Sequence, residues 1–218
     1  MTRKIDIRNI KNDYLINFCI KHKLPKFRAK QISEWLWKKR ATSFDEMSSL
    51  SKSVRKLLTD HFNIKPVKIN SGHKSTDGSI KYSLQLHDKL LVEGVLIPSK
   101  KRITACVSSQ VGCSLSCSFC ATGSMKLKRN LTAAEIYDQV FILNEEAVYN
   151  FGKPLSNIVF MGMGEPLLNY KALLESITLI TTEKGLGISP KRITVSTAGI
   201  SKMIKKLADD KVRFNLAV

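Results

Sequence analysis

Apolar residues recur at helical spacing in the first part of the chain. Between residues 13 and 62 they form three amphipathic stretches: Leu15, Phe18 and Cys19; Ile32, Trp35 and Leu36; Val54, Leu57 and Leu58. Pro25 separates the first two stretches, and Ser51 precedes the third at the position of an N-cap. The pattern predicts a small helical domain over residues 1–65.

After residue 66 the apolar residues recur at every second position, which is the spacing of a β-strand. Residues 81–87 and 90–97 read as strands bounded by turn residues, which predicts a short antiparallel β segment over residues 66–102. From residue 103 strands and helices alternate. The predicted strands are 103–108, 157–161, 192–196 and one beginning at 212, and the predicted helices are 132–150, 170–182 and 200–208.

Strand–helix alternation of this kind predicts right-handed parallel crossovers, hence a doubly wound sheet or a β/α barrel. About 115 residues from Ile103 onward hold four strands and three helices, whereas a complete eight-fold barrel takes about 250 residues. Ending in an apolar strand would also leave a parallel sheet uncovered at one edge. We therefore expect an α/β fold in which residues 103–218 form a partial barrel truncated at its fourth strand.

The charge is strongly positive and unevenly distributed. Lys and Arg number 36 against 18 Asp and Glu, a net charge of +18. Residues 1–105 hold 23 basic and 9 acidic side chains, and residues 106–218 hold 13 and 9. A basic N-terminal half indicates a polyanionic partner, most often nucleic acid. Compositional drift toward Lys is the competing explanation, because Lys outnumbers Arg 27 to 9.

Two protein classes are excluded by the apolar pattern. No run approaches the length of apolar sequence that spans a bilayer. The start, Met-Thr-Arg-Lys-Ile-Asp-Ile-Arg, has no apolar core of a secretory signal. We expect a cytoplasmic protein without a membrane partner.

Three of the five cysteines fall within eight residues, as Cys113-x3-Cys117-x2-Cys120. An odd cysteine count in a leaderless chain disfavours a disulfide framework. Structural zinc takes four ligands, usually as two pairs, and no second pair or nearby His follows. Three thiolates on one loop are instead able to hold three irons of a cubane iron–sulfur cluster, leaving the fourth iron open for chemistry on a small molecule.

This cysteine spacing after the first strand of a β/α series resembles the signature of the radical S-adenosylmethionine (SAM) superfamily. The resemblance implies a 4Fe-4S cluster on Cys113, Cys117 and Cys120 whose open iron chelates SAM, with Phe119 against the adenine. The run Met161-Gly-Met-Gly-Glu-Pro lacks the third glycine of a dinucleotide fingerprint. It resembles the Gly-Gly-Glu element of the superfamily, which implies that Gly164 and Glu165 contact the methionyl ammonium.

Longer stretches resemble one family within this superfamily. Residues 106–113, 129–132, 161–169 and 192–199, together with 25–32, 44–47 and 75–82, are similar to the RlmN family. That family methylates carbon-2 of adenine in 23S rRNA and tRNA by a radical mechanism that passes through a methylated cysteine. The resemblance implies a basic accessory RNA-binding domain over residues 1–65 and an electron donor such as flavodoxin. We also expect a monomer.

The same resemblance assigns roles to three further residues. It implies that Glu93 accepts the proton leaving carbon-2, that Cys106 is the thiol releasing the RNA adduct as a transient disulfide, and that Ser196 contacts SAM. Cys19 matches no functional position. The family continues into a Ser-Leu-His segment and a methyl-carrying cysteine that are absent here, so we expect no RNA methylation by this chain alone.

Three alternatives remain at this point. The first is a radical SAM enzyme of another reaction, including a Cfr-type enzyme that methylates carbon-8 of the same adenine, although Pro166-Leu-Leu-Asn169 favours the RlmN family. A truncated remnant would bind RNA or a cluster without catalysis. A zinc-binding RNA module would hold zinc and no iron.

Overall fold

The computed structural model describes residues 4–183 and 185–218, and these divide into two compact units. The first ends at Pro66 and also includes Glu183 and Gly185. The second comprises Val67–Thr182 and Leu186–Val218.

The first unit is helical, as its apolar spacing predicts. It contains β1 (Ile5–Asp6), α1 (Asn12–Lys21), α2 (Phe27–Trp37), α3 (Lys52–His61) and β2 (Phe62–Asn63). The short strands β1 and β2 pair in parallel. Ser51 caps α3, because its hydroxyl accepts a hydrogen bond from the Val54 N–H.

The second unit is built on one seven-stranded sheet. Its strands are β3 (Lys68–Lys74), β4 (Ile80–Gln85), β5 (Leu91–Pro98), β6 (Ile103–Cys106), β9 (Asn157–Phe160), β10 (Ile193–Ser196) and β11 (Asn215–Ala217), and a separate pair is formed by β7 (Gln110–Val111) and β8 (Arg129–Asn130). The helices are α4 (Ala133–Phe151), α5 (Tyr170–Thr181) and α6 (Ser201–Asp209). The sheet order is β11-β10-β9-β6-β5-β4-β3.

The sheet has a parallel half and an antiparallel half. β6, β9, β10 and β11 run parallel, and β3, β4 and β5 continue the sheet in antiparallel pairing. All loops that follow β6, β9 and β10 therefore lie at one edge, here called the carboxyl edge, and all loops that precede the parallel strands lie at the opposite, amino edge. Ligands of open α/β sheets bind outside the carboxyl ends of strands.

Local capping fixes the ends of the longest helix. Thr132 is the N-cap of α4 and forms a capping box with Glu135, so the helix begins where the sequence pattern predicts. Gly152 ends the helix with φ of 68°, a left-handed conformation that glycine adopts without steric cost.

The antiparallel strands differ from the predicted hairpin in one respect. The sequence pattern does not predict β3, because Lys-Ile-Asn-Ser-Gly-His-Lys lacks a regular apolar alternation and the strand is largely exposed at the sheet edge. Its pairing with β4 across a β-bulge comes from backbone hydrogen bonds rather than from a buried side-chain face. In the described part of the chain, no helix has the length and apolar character needed to cross a membrane.

Candidate functional site

A cavity of about 360 Å³ lies at the carboxyl edge of the sheet, a volume within the range of small-molecule sites. It collects residues from the loops after β6, β9 and β10. Seven of the nine predicted site residues line it: Cys113, Cys117, Phe119, Cys120, Gly164, Glu165 and Ser196.

The loop after β6 carries the three clustered thiols. The Sγ of Cys113 accepts the Leu115 N–H at 3.4 Å, and the Cys120 N–H donates to the Cys117 carbonyl at 3.1 Å. Gly123 closes the loop, since a Cβ there would lie 2.8 Å from the Cys117 carbonyl oxygen. Phe119 projects from this loop with 91% of its surface exposed.

The donor set of this loop fits an iron–sulfur cluster better than a single metal ion. All three cysteines are free thiols on the wall of one cavity. Among the described residues, no three His, Cys, Asp or Glu side chains are grouped closely enough to hold one ion. A cubane cluster does not require such convergence, because each thiolate binds a different iron.

Glu165 lines the same cavity and is 4% exposed. Its two carboxylate oxygens accept the Leu167 N–H at 3.0 Å and the Ala198 N–H at 2.8 Å. Glu165 therefore links the turn after β9 to the loop after β10, and each oxygen keeps a lone pair for a cationic group in the cavity.

Buried polar side chains beneath the cavity join the loops after β6 and β9. Ser108 Oγ donates to the Glu93 carbonyl at 2.7 Å and accepts the Met163 N–H at 2.9 Å. Gln110 Oε1 accepts the Glu165 N–H at 2.9 Å. Ser108 and Gln110 are at most 1% exposed. The sequence motifs assign these two residues no role, although polar residues directly after an apolar strand are a signal that the end of the strand is used.

Asn169 completes this buried network from the far side of the turn. Its amide donates to the Ser109 and Leu131 carbonyls, both at 2.8 Å. It thereby fixes both ends of the segment that contains the cysteine loop.

Glu93 and Cys106 lie on the sheet rather than in the cavity lining. Cys106 is directly opposite Val95 across β5 and β6, so strand alternation places Glu93, Val95 and Cys106 on one face. A Cβ on Gly94 would contact Leu143 of α4, so this face points away from α4. The structure therefore brings the two predicted catalytic residues to a common face, and it leaves their roles as predictions.

The environments of these two side chains differ. Cys106 is 9% exposed, and burial raises the pKa of its thiol despite the opposing hydrogen bond from the Met161 backbone. Cys106 is thus a protonated thiol at neutral pH. Glu93 is half-exposed and forms an ion pair with Lys81, with Oε1 and Nζ 3.2 Å apart.

An ion-pair cluster holds the end of the cysteine segment. Arg129 makes a bidentate pair with Glu135 at 2.8 and 2.9 Å and donates from Nε to Asp88 at 2.6 Å. Burial opposes ionisation of Asp88, but the hydrogen bonds from Arg129 and the Leu90 N–H outweigh it and lower the pKa of this carboxyl.

We expect the Asp88–Arg129 contact to stabilise the fold at neutral pH and to weaken in acid. Because the folded-state pKa of Asp88 lies below its ordinary value of 3.8, the stabilisation is fully present above that value and is lost progressively as the pH falls through the lower folded-state pKa. Asp88→Asn should lower the free energy of unfolding by about 1 kcal/mol at pH 7. Urea unfolding of the parent, Asp88→Asn, Arg129→Gln and the double variant at pH 7 and at about pH 2.5 measures the coupling free energy between the two side chains. A coupling free energy that is unchanged at the lower pH would contradict this account.

Two family models match the chain. The Ribosomal RNA large subunit methyltransferase N-terminal domain matches residues 5–64, and the Radical SAM superfamily matches residues 107–218. The first match covers most of the helical unit, and the second covers the cysteine loop and all following strands.

Curated relatives match over nearly the whole chain. A protein of Flavobacterium psychrophilum described as a probable dual-specificity RNA methyltransferase RlmN is 54% identical over 99% of this chain and 62% of its own length. One of the same description from Cytophaga hutchinsonii is 55% identical over 99% of this chain and 59% of its own length. The chain therefore spans about 60% of the length of these relatives.

A solved structure shows the same fold. The crystal structure of a radical SAM methyltransferase from Sphaerobacter thermophilus superposes with a TM-score of 0.85 at 36% identity, covering 97% of this chain and 62% of that one. The expected α/β fold, a partial radical SAM barrel preceded by helices, is confirmed.

Proposed function

Because this chain belongs to the radical SAM superfamily, we propose that it is part of an RNA methyltransferase that methylates carbon-2 of adenine in 23S rRNA and tRNA. The relatives described as dual-specificity RNA methyltransferases support the reaction class and an RNA substrate. The observation that carries the proposal is the single cavity joining the three thiols to Gly164, Glu165 and Ser196.

In this proposal Cys113, Cys117 and Cys120 hold a 4Fe-4S cluster, and the rest of the cavity holds SAM. When bound, the cluster and SAM supply a radical able to remove hydrogen from an unactivated carbon. Glu165 orients the cationic methionyl group through its free lone pairs, Phe119 covers the adenine, and Ser196 contacts SAM from the end of β10.

The sheet face opposite α4 provides the proton chemistry in this proposal. Glu93 accepts the proton that leaves carbon-2, which requires its contact with Lys81 to open or to shift. In the family reaction, the Cys106 thiolate attacks the sulfur of the methyl-carrying cysteine. The S–S bond forms as the bond from that sulfur to the methylene carbon on adenine breaks, and the electron pair stays with this carbon, which takes up a proton to become the methyl group. Because burial raises the pKa of the Cys106 thiol, a base must take its proton before it attacks sulfur.

The helical unit is proposed as the accessory RNA-binding domain. Its family match carries a ribosomal RNA methyltransferase description, and residues 1–66 hold 16 of the 36 basic side chains. A flavodoxin-type electron donor, a monomeric state and a cytoplasmic location stay predictions, as does the division into parts 1–65, 66–102 and 103–218.

Product analysis tests the proposal. The chain, reconstituted with iron and sulfide under anaerobic conditions, is incubated with SAM, dithionite and unmodified RNA. We expect 5′-deoxyadenosine from SAM, and 2-methyladenosine in RNA when the complete protein is used. 8-Methyladenosine would instead identify carbon-8 chemistry, and RNA binding without any SAM cleavage would identify a non-catalytic module.

A further inference from the structure

The amino edge of the parallel sheet, opposite the edge that carries the cavity, holds a dense set of cations. Each loop that leads into a parallel strand contributes at least one exposed basic side chain. We call this set the basic rim: Lys100, Lys101 and Arg102 before β6; Lys153 before β9; Lys191 and Arg192 before β10; Lys211 and Arg213 before β11.

The basic rim is not neutralised by carboxylates. In the part of the chain that the structure describes, none of its eight side chains forms an ion pair. Asp210 at the end of α6 is bound by the Tyr170 hydroxyl at 2.6 Å and by Lys206 at 3.3 Å, so its carboxylate is engaged outside the basic rim. Concentrated charge of one sign creates a potential that attracts a polyanion.

The spacing of the basic rim suits an extended phosphate backbone. β6, β9, β10 and β11 are consecutive neighbours in the sheet, and strands lie about 4.8 Å apart, so the rim extends over about 15 Å. That length spans roughly four phosphates of one duplex strand. A cleft of about 150 Å³ between the β5–β6 turn and the loop before β9 is lined by Lys100, Lys101, Arg102 and Lys153.

We propose that the basic rim binds the phosphate backbone of RNA at a surface separate from the cavity. The choice of RNA among polyanions rests on the proposed function, whereas the rim itself rests on the fold alone. The strands between the two edges are four residues long in β6, β9 and β10, so the edges are about 13 Å apart. A folded RNA engaged at the cavity gains a second, sequence-independent contact at the rim.

The test measures RNA affinity against salt for a charge-reversal variant, K100E/K101E/R102E. A short fluorescently labelled RNA hairpin is titrated with the 218-residue chain at about 50 to 200 mM salt. We expect the slope of log affinity against log salt to fall in magnitude by about two to three, with roughly tenfold weaker binding at the lowest salt. SAM and reductant are absent, so the result does not depend on methyl transfer.

Two control variants distinguish the effect of the basic rim on RNA affinity from the effect of net charge. K68E/K171E/K205E makes the same net change at exposed lysines scattered over β3, α5 and α6, and we expect it to keep most of the salt slope. K100R/K101R/R102K keeps every charge and should bind as the parent does. Equal weakening by the scattered variant, or parental binding by K100E/K101E/R102E, would overturn the proposal.

A crosslinking measurement covers the case in which charge reversal unfolds the chain. A photoreactive benzoylphenylalanine at position 101 should crosslink to the RNA hairpin, and one at position 205 should not. Absence of a crosslink at position 101 would overturn the proposal. Capture of polyglutamate in place of RNA would show that the rim serves an acidic protein, and the proposal would again be wrong.

Discussion

Cys117→Ala should abolish cluster binding and SAM cleavage together. A cubane cluster held by three thiolates loses one of its protein ligands, and among the described residues the other thiols that line the cavity are those of Cys113 and Cys120. After anaerobic reconstitution we expect iron to fall from about four per chain to near zero. The rate of 5′-deoxyadenosine formation should fall at least about 100-fold.

Cys106→Ala is the matched control for this experiment. It removes a cysteine from the same half of the fold, but Cys106 is outside the cavity lining, so its iron content should equal that of the parent. Metal analysis and the visible absorption of the cluster give the readouts. A Cys117→Ala chain with a full complement of iron would contradict the ligand assignment, and stoichiometric zinc without iron in the parent would favour a zinc-binding RNA module.

Gly164→Ala should give the largest loss of stability among single substitutions at the cavity. Gly164 has φ of +93°, and a Cβ there would lie 2.5 Å from the Cβ of Gln110. A left-handed conformation costs a non-glycine residue about 1–2 kcal/mol, and overpacking adds about 1–3 kcal/mol. The Gln110 side chain must move, which breaks its hydrogen bond with the Glu165 N–H. We expect a loss of about 2–5 kcal/mol in the free energy of unfolding, measured in urea, and a matching loss of SAM binding.

Gly152→Ala separates backbone strain from the steric clash. Gly152 has φ of +68°, and a Cβ there would have no other atom within 4 Å, so only the conformational cost of about 1–2 kcal/mol applies. Equal losses for the two variants would show that the contact with Gln110 does not constrain the turn.

The types and the spacing of the cavity residues were predictable from the sequence, but the hydrogen-bond partners that hold them in place were not. Cys113, Glu165 and Ser196 are marked by motifs at the ends of apolar strands. The partners of Glu165 are the Leu167 and Ala198 amides, and a backbone donor has no sequence signature. Gln110 and Asn169 bind atoms dozens of residues away, so their roles emerge only from the tertiary arrangement.

The elements of the fold likewise divide into those that nearby residues determine, which the sequence predicts, and those that depend on distant residues, which it does not. The helices were predictable because apolar spacing and caps such as Thr132 act within one or two turns. β3 was not, because an exposed edge strand is held by its neighbour's backbone. The ion pair of Glu93 with Lys81 likewise depends on β4–β5 register, in which Lys81 faces Val95 and Ser83 faces Glu93.

The hydrogen bonds beneath the cavity join residues that are far apart along the chain, so they form only after the ribosome has synthesised the later partner. Ser108 gains its partner Gln139 only 31 residues later, and Glu165 gains its partner Ala198 only 33 residues later. Ala198 is synthesised 78 positions after Cys120, which takes roughly 4–16 s at about 5–20 residues/s. Throughout that interval the three thiols are on a nascent chain that lacks the loop after β10, so they need reducing surroundings to stay free until the cavity is complete.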